Sequence, residues 1–429
     1  MASKRKRRII AWSIIGGILA MILILVAVCG IRWAIHRKVG VYDSYEFNNG
    51  ATEFNLDMFP YLVVDKAADE LKIMQIADPQ IKFGGITRDT KTMNLLDRAI
   101  KVEQPDICVL TGDLTCSIFT YDAYKYFANF MEERHQYWTF VYGNHDSQFD
   151  CSKYTIYNLV KNYEYCLFSP GPTDIHGESN FLVNIFKGEK KAENLIYSLV
   201  MLDSGMYPED GDVNLTDWVY DWIRTDQMQW YSWAVEGLRS IKAEIQSSMF
   251  FHMPIKEFAN LYYLNELDKG REISDIVKGQ LPNVTISDVK GVVRESDKSD
   301  SEVVYGDEGY TVGIFYQGNA RGADHPDVFG YVKQLDCTKA IFCGHDHVNN
   351  LKGYYDGVYL GYALCCGYHT CPFFDNPKIF TGKVLYNSNL WTDEDGNKME
   401  KGVTMIQISL DSSGYGSLTV NDYSNSYYK

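Results

Sequence analysis

Three absences narrow the reading of this chain. Asp and Glu are missing from residues 1–38, which carry eight Lys/Arg. Charge of either sign is missing from Ile9 to Gly30, and no cysteine pair has CxxC spacing. The last excludes the common structural zinc modules built on that spacing. No internal repeat and no second strongly patterned unit appear, which excludes a repeat array. What is present is a hydrophobic, tyrosine-rich body. Of 429 residues, 46% are hydrophobic and 14% aromatic, with 32 tyrosines, ample for a large core and contrary to a mainly disordered chain.

The formal net charge is −15, and removing the eight N-terminal positive charges leaves −23 on the rest. So acidic a body repels nucleic-acid backbones and is not expected to bind them. An anionic substrate would need local cations, which bound metals would supply.

Residues 9–30 are long enough, as a helix rising about 1.5 Å per residue, to cross a bilayer core. Five basic residues precede this stretch and fewer follow it closely, which favours a cytoplasmic N-terminus. A cleaved signal peptide is the rival reading. Against it, the apolar run exceeds a usual signal core, no small-x-small site closes it, and bulky Val28 before Cys29 makes a poor lipoprotein box. The expected layout is a cytoplasmic tail (1–8), a single-pass transmembrane anchor in the cell membrane (9–30), a tether and entry segment (31–69) and an extracytoplasmic catalytic domain (70–429). Within it the polar stretch 265–310 reads as a surface insertion.

From Leu71 onward strands and helices alternate, and chemistry-bearing residues follow the strands. Apolar runs at 71–77, 107–110, 138–142, 248–251 and 339–343 end at Asp78, Gly112-Asp113, Gly143-Asn144-His145-Asp146, His252 and Gly344-His345-Asp346-His347. The helix at 121–134 places Tyr124, Phe127, Ala128 and Met131 on one face. In α/β sheets, sites form where loops converge beyond strand C-termini. Of the nine histidines, four lie in these segments. Carboxylate and amide oxygens with imidazole nitrogens suit Mn, Fe or Zn, and a carboxylate can bridge two ions about 3.5–4 Å apart.

This order of motifs resembles the calcineurin-like metallophosphoesterase superfamily over roughly residues 70–370. Gly344-His345-Asp346-His347-Val348-Asn349-Asn350 and Gly367-Tyr368-His369 are similar to its purple-acid-phosphatase-like branch. The resemblance implies an α/β fold, a layered αββα sandwich of two mixed sheets flanked by helices, here preceded by one transmembrane helix. It also implies two divalent or trivalent metal ions (Mn, Fe or Zn). Asp113 would bridge them; Asp78, Gln80 and His347 would hold the first; Asn144, His252 and His345 would hold the second. His145 would serve as general acid with Asp146 orienting its ring, while a hydroxide held by the metals attacks phosphorus in line. The implied activity is hydrolysis of a phosphomonoester or phosphodiester. The alternative is a degenerate member that binds a phosphorylated ligand or partner without turnover.

Two positions depart from the family pattern. Gln80 stands where the first motif normally ends in His, and an amide oxygen is the weaker ligand. Cys116 stands where purple members carry Tyr, and reads as a packed loop thiol. His369, His176, Asp203 and Arg321 are weaker pocket candidates. The aromatic series Trp218, Tyr220, Trp222, Trp230, Tyr231 and Trp233 reads either as a stacking platform or as core. Cys108 and Cys343 read as buried thiols, whereas Cys151, Cys166, Cys365, Cys366 and Cys371 could pair in an oxidising space. Asn214 and Asn283 open glycosylation sequons. Substrate class and oligomeric state have no readable code.

Overall fold

The computed structural model describes residues 2–82, 87–207, 220–268, 270, 272, 326–347, 349–370, 400–410 and 416–428. Most of the 265–310 stretch, both sequons, Trp218, Arg321 and Cys371 lie outside the described residues.

Strands β2 (Glu70–Ile76), β3 (Ile107–Thr111) and β4 (Trp138–Val141) run parallel. Antiparallel β11 (Gly402–Ser409) and β12 (Leu418–Ser424) complete a five-stranded sheet in the order β12-β11-β2-β3-β4. The second sheet holds β1 (Tyr61–Val64), β5 (Phe181–Lys187), β6 (Leu195–Met201), β7 (Ser247–Phe250), β8 (Thr338–Cys343), β9 (Lys352–Tyr355) and β10 (Val358–Tyr362). Its order is β1-β5-β6-β7-β8-β10-β9, with β6, β7, β8 and β10 parallel. Both sheets are mixed.

Side-chain alternation along the strands builds three hydrophobic layers. Leu71, Ile73, Ile107 and Val109 of the smaller sheet meet Val183, Leu199, Phe250 and Phe342 of the larger one between the sheets. The opposite face of the smaller sheet (Met74, Ile76, Cys108, Leu110) packs on α2 (Thr87–Glu103), α3 (Thr120–Glu132) and α4 (Lys153–Val160). In α3 the buried face includes Tyr124, Phe127, Ala128 and Met131, the stripe that the sequence spacing marks. The outer face of the larger sheet packs on α5 (Thr225–Ile241), α6 (Lys256–Asp268) and α7 (Val328–Leu335). The result is the αββα sandwich, with Phe250 and Phe342 stacked 5.3 Å apart at its centre.

Helix α1 (Ala2–His36) precedes the sandwich. Its segment Trp12–His36, with mean hydropathy 3.0, is the one helix among the described residues long and apolar enough to cross a membrane, and none of that window is buried.

The segment expected as a tether behaves differently. Residues 61–64 form β1 beside β5, and Phe47 and Phe59 are buried under α5. The globular fold therefore takes in much of 31–69. The cysteines differ too: Cys151, Cys166, Cys365 and Cys366 are free thiols. Cys366 Sγ donates to the Ala77 carbonyl at 3.2 Å, so this thiol packs against the end of β2.

Phe342 is fully buried between the sheets. Phe342→Ala should cost about 3–5 kcal/mol, measured as a lowered midpoint in chemical unfolding.

Candidate metal centre

The C-terminal ends of the parallel strands in both sheets meet at one edge. The smaller sheet delivers Asp78 after β2, Asp113 after β3 and Asn144 after β4. The larger sheet delivers His252 after β7, and His345 and His347 after β8. Turning these side chains inward requires unusual backbone. Asp78, Gln80, Asp113 and His345 all adopt positive φ, at 51°, 43°, 52° and 74°. Such conformations cost energy and gather at sites where surrounding structure enforces them. Glycine permits the closest approaches: a Cβ on Gly112 would fall on the His252 ring, and one on Gly143 would fall on Asp113.

One half of the centre is compact. His252 Nε2 lies 3.0 Å from Asn144 Oδ1 and 3.2 Å from His345 Nδ1, which itself lies 3.0 Å from Asn144 Oδ1. His252 Nδ1 is 2.7 Å from the Thr111 carbonyl. Donation there leaves Nε2 with its lone pair toward the centre when the ring is neutral. Asp113 Oδ2 stands 3.5 Å from His252 Nε2 and 3.9 Å from His145 Nε2.

The other half holds Asp78, Gln80 and His347. Asp78 Oδ2 accepts the His345 N–H at 3.0 Å, but its buried Oδ1 accepts no hydrogen bond, with His347 Nε2 3.3 Å away. Gln80 Nε2 is 3.2 Å from His347 Nε2. A half-turn of the amide exchanges its ends, so Gln80 can offer either an N–H or an oxygen.

This donor set fits a cation. Ligand atoms of Asp78, Asp113 and His252, all buried, lie within 4.8 Å of one another. An orphaned carboxylate oxygen and imidazole and amide acceptors turned toward each other are costly in a dry site unless a positive charge joins them. The electrostatics agree. Burial favours neutral Asp113, yet His252 and His145 hold its carboxyl well below the usual range. Burial also opposes charge on His145 and His252, but Asp113 pushes them up to about 10 and about 9. His345 is pushed down by burial and then by His252. The site draws cations, and protons are the simplest.

Asp146 corrects an expectation. Its carboxylate accepts backbone N–H groups from Gly143 (2.8 Å), Asp113 (2.9 Å) and Thr115 (3.3 Å), joining the β3 and β4 loops. The His145 ring instead meets Gln148, Nδ1 to Oε1 at 2.7 Å, and the Cys116 thiol. Gln148 was not singled out by sequence; its only signal is its place three residues after His145.

Of the weaker candidates, His369 pairs with Asp89 at 3.0 Å, His176 with Asp226 at 2.7 Å and Asp203 with Lys153 at 2.6 Å. Trp222, Trp230 and Tyr231 are buried in the core, and Trp233 packs on Phe47 and Phe54. Tyr220 alone of the described series reaches the centre, edge-on to His345 at 4.4 Å, with Tyr207 stacked on it at 5.9 Å. No pattern in the sequence marks Tyr207.

The family model for calcineurin-like phosphoesterase matches residues 71–349. The protein named "Probable inactive purple acid phosphatase 29" from Arabidopsis thaliana is 27% identical over 331 residues, 70% of this chain and 72% of that protein. "Probable inactive purple acid phosphatase 28" from the same plant is 24% identical over 329 residues, 70% of each. "Phosphatase DCR2" from Saccharomyces cerevisiae is 25% identical over 216 residues, 45% of this chain and 36% of that protein. Among solved structures, a dimetal phosphatase from Danio rerio aligns over 82% of this chain and 99% of its own, at 11% identity and a TM-score of 0.40.

Each stranded buried donor costs about 1–3 kcal/mol. Asp146→Ala should therefore destabilise the fold by at least about 3 kcal/mol in chemical unfolding. Unchanged stability would return Asp146 to the service of the His145 ring.

Proposed function

The chain belongs to the calcineurin-like phosphoesterase family, and from that premise we propose that it is a membrane-anchored hydrolase of phosphate esters that works with two metal ions. The observation that carries this reading is the meeting of Asp78, Asp113, Asn144, His252, His345 and His347 at one edge, with a buried carboxylate oxygen that accepts no hydrogen bond. Asp78, Gln80 and His347 would hold one ion, Asn144, His252 and His345 the other, and Asp113 both. Mn, Fe and Zn all suit these donors. When bound, such ions supply Lewis acidity and neutralise charge on the phosphoryl oxygens.

The chain's own groups do the rest. His145 is partly exposed at the edge of the centre, and Asp113 favours its protonated form. Its Nε2 is placed to give a proton to the ester oxygen as the bond to phosphorus breaks and water adds on the far side. Gln148, bonded to Nδ1, sets the plane of the ring. Asp146 fixes the relative height of the Asp113 and His145 loops through three backbone N–H groups. The anchor is α1, with its basic N-terminus in the cytoplasm and the sandwich outside.

A second reading is a degenerate member that binds a phosphorylated ligand without turnover. Gln80 in place of the usual His favours it, as do relatives whose names call them inactive. His145 opposes it, because a mere binder has no need of a proton donor.

Full-length protein should bind about two metal ions per chain by elemental analysis. It should hydrolyse an aryl phosphate or aryl phosphodiester with Mn²⁺, Fe²⁺ or Zn²⁺. His145→Ala should lower kcat about 10²–10⁴-fold with metal content unchanged; undiminished turnover would sink the assignment of the acid. Gln80→His should slow loss of metal during dialysis against a chelator, and equal loss would show that position 80 is not a ligand.

A further inference from the structure

The last turn of α1 rests on the two loops that carry His145 and Cys116. Arg37 Nη1 donates to the carbonyls of Ser147 at 2.7 Å and Phe149 at 3.0 Å. The Arg32 guanidinium reaches Asp150 at 2.9 Å and Asp122 at 2.5 Å, and lies 4.8 Å over the Phe119 ring. His36 stacks on Tyr121 at 4.3 Å, and its carbonyl accepts the Ser152 N–H at 3.2 Å. Ser147 is two residues from His145, so at most about 7 Å of extended backbone separates the anchor's contact from the acid.

The same turn marks a water boundary. Ile9 to Ile31 carries no charge, about 34 Å of helix against a hydrocarbon core of about 30 Å. Arg32 is the first charge after it and Trp33 the first aromatic, the residue types that settle at the headgroup level. Ile118, beside Phe119 on the Cys116 loop, and Val39 and Val41 beyond the exit are exposed apolar groups. No slack linker separates this boundary from the site, because the contacts come from the helix end itself.

We infer that the site works at the bilayer surface on a phosphate ester carried by a membrane-lipid headgroup. The inference rests on the hydrolase reading above. A rim held against the headgroup level meets phosphates already gathered there. From Arg32 onward the chain carries −20, which repels anionic esters in solution and in lipid alike. But the anchor holds the site at the membrane, and sharing a surface with the substrate raises its effective concentration. A substrate in bulk water would need neither the short reach nor the clamp.

The test places the full chain in phosphatidylcholine vesicles containing phosphatidic acid (a monoester) or phosphatidylglycerol (a diester). At least one lipid should turn over at least about tenfold faster than its water-soluble dibutanoyl analogue at the same bulk concentration. A flexible Gly/Ser spacer of about 20 residues between Ile31 and Arg32 keeps the clamp but lifts the body by roughly 25 Å. It should cut lipid turnover at least about tenfold while p-nitrophenyl phosphate hydrolysis stays unchanged. Hydrolysis of p-nitrophenyl phosphate with neither lipid touched overturns the inference and spares the hydrolase reading. So does lipid turnover indifferent to the spacer, or cleavage of a vesicle-tethered phosphopeptide but not of lipid. Failure with every ester defeats the hydrolase reading and this inference with it.

Discussion

Asp113 and His252 stand 3.5 Å apart, one from each sheet, and both are almost wholly buried. Holding a carboxylate and an imidazole so close without water demands that two hydrocarbon-packed sheets end at the same level. The layer between them is largely apolar through Val109, Phe250 and Phe342, with the buried Tyr197 and Ser248 hydroxyls satisfying each other at 2.9 Å, and it turns strongly polar at the strand ends. Gln75 reinforces that junction, donating from β2 to the Cys343 carbonyl of β8 at 3.0 Å. Gly112 and Gly143 then let the loops close, since any side chain there would occupy the space of His252 or Asp113. The positive φ of Asp113 is sustained by Asp146, which accepts the Asp113 and Thr115 N–H groups, and that of His345 by Asp78, which accepts the His345 N–H.

What the sequence reveals follows from this arrangement. Strands whose last residue hands over to Gly, Asp, Asn or His carry their own end-marker, and β2, β3, β4, β7 and β8 fall within a residue or so of expectation. Strands without chemistry at their ends carry no such marker. Thus β1 hides in an apparent tether, and β11 joins β2 from more than 300 residues away through backbone pairing alone. Aromatic spacing was ambiguous for a related reason: Trp230 and Tyr231 serve the helix-to-sheet core and Trp222 is buried beneath the Arg224 guanidinium, while Tyr220 faces His345. Asp146 shows the finer limit. The family resemblance implied a ring partner for His145, but a buried carboxylate is satisfied best by backbone donors already fixed around it.

The two halves of the centre differ in how tightly they are tied. Asn144, His252 and His345 are mutually within 3.2 Å, and the His252 ring is fixed from behind by the Thr111 carbonyl. Across the centre, one Asp78 oxygen accepts no hydrogen bond and Gln80 presents an amide whose ends can exchange. On the proposed two-metal reading, a preformed half and an adaptable half would give unequal affinities, the ion at Asn144, His252 and His345 being the more firmly held.

The N-terminal helix belongs to this account as well. The Asp150 side chain is only 7% exposed; it caps α3 by accepting the Thr120 N–H at 2.9 Å and pairs with Arg32. Without Arg32 that carboxylate would keep its burial and lose its positive partner, the costly way to break an ion pair. Arg37 likewise occupies the Ser147 and Phe149 carbonyls on the loop that bears His145. A leader removed after export would not be expected to hold such positions in the folded body. These contacts support an anchor that stays attached, and they make its last turn part of the support on which the proposed acid stands.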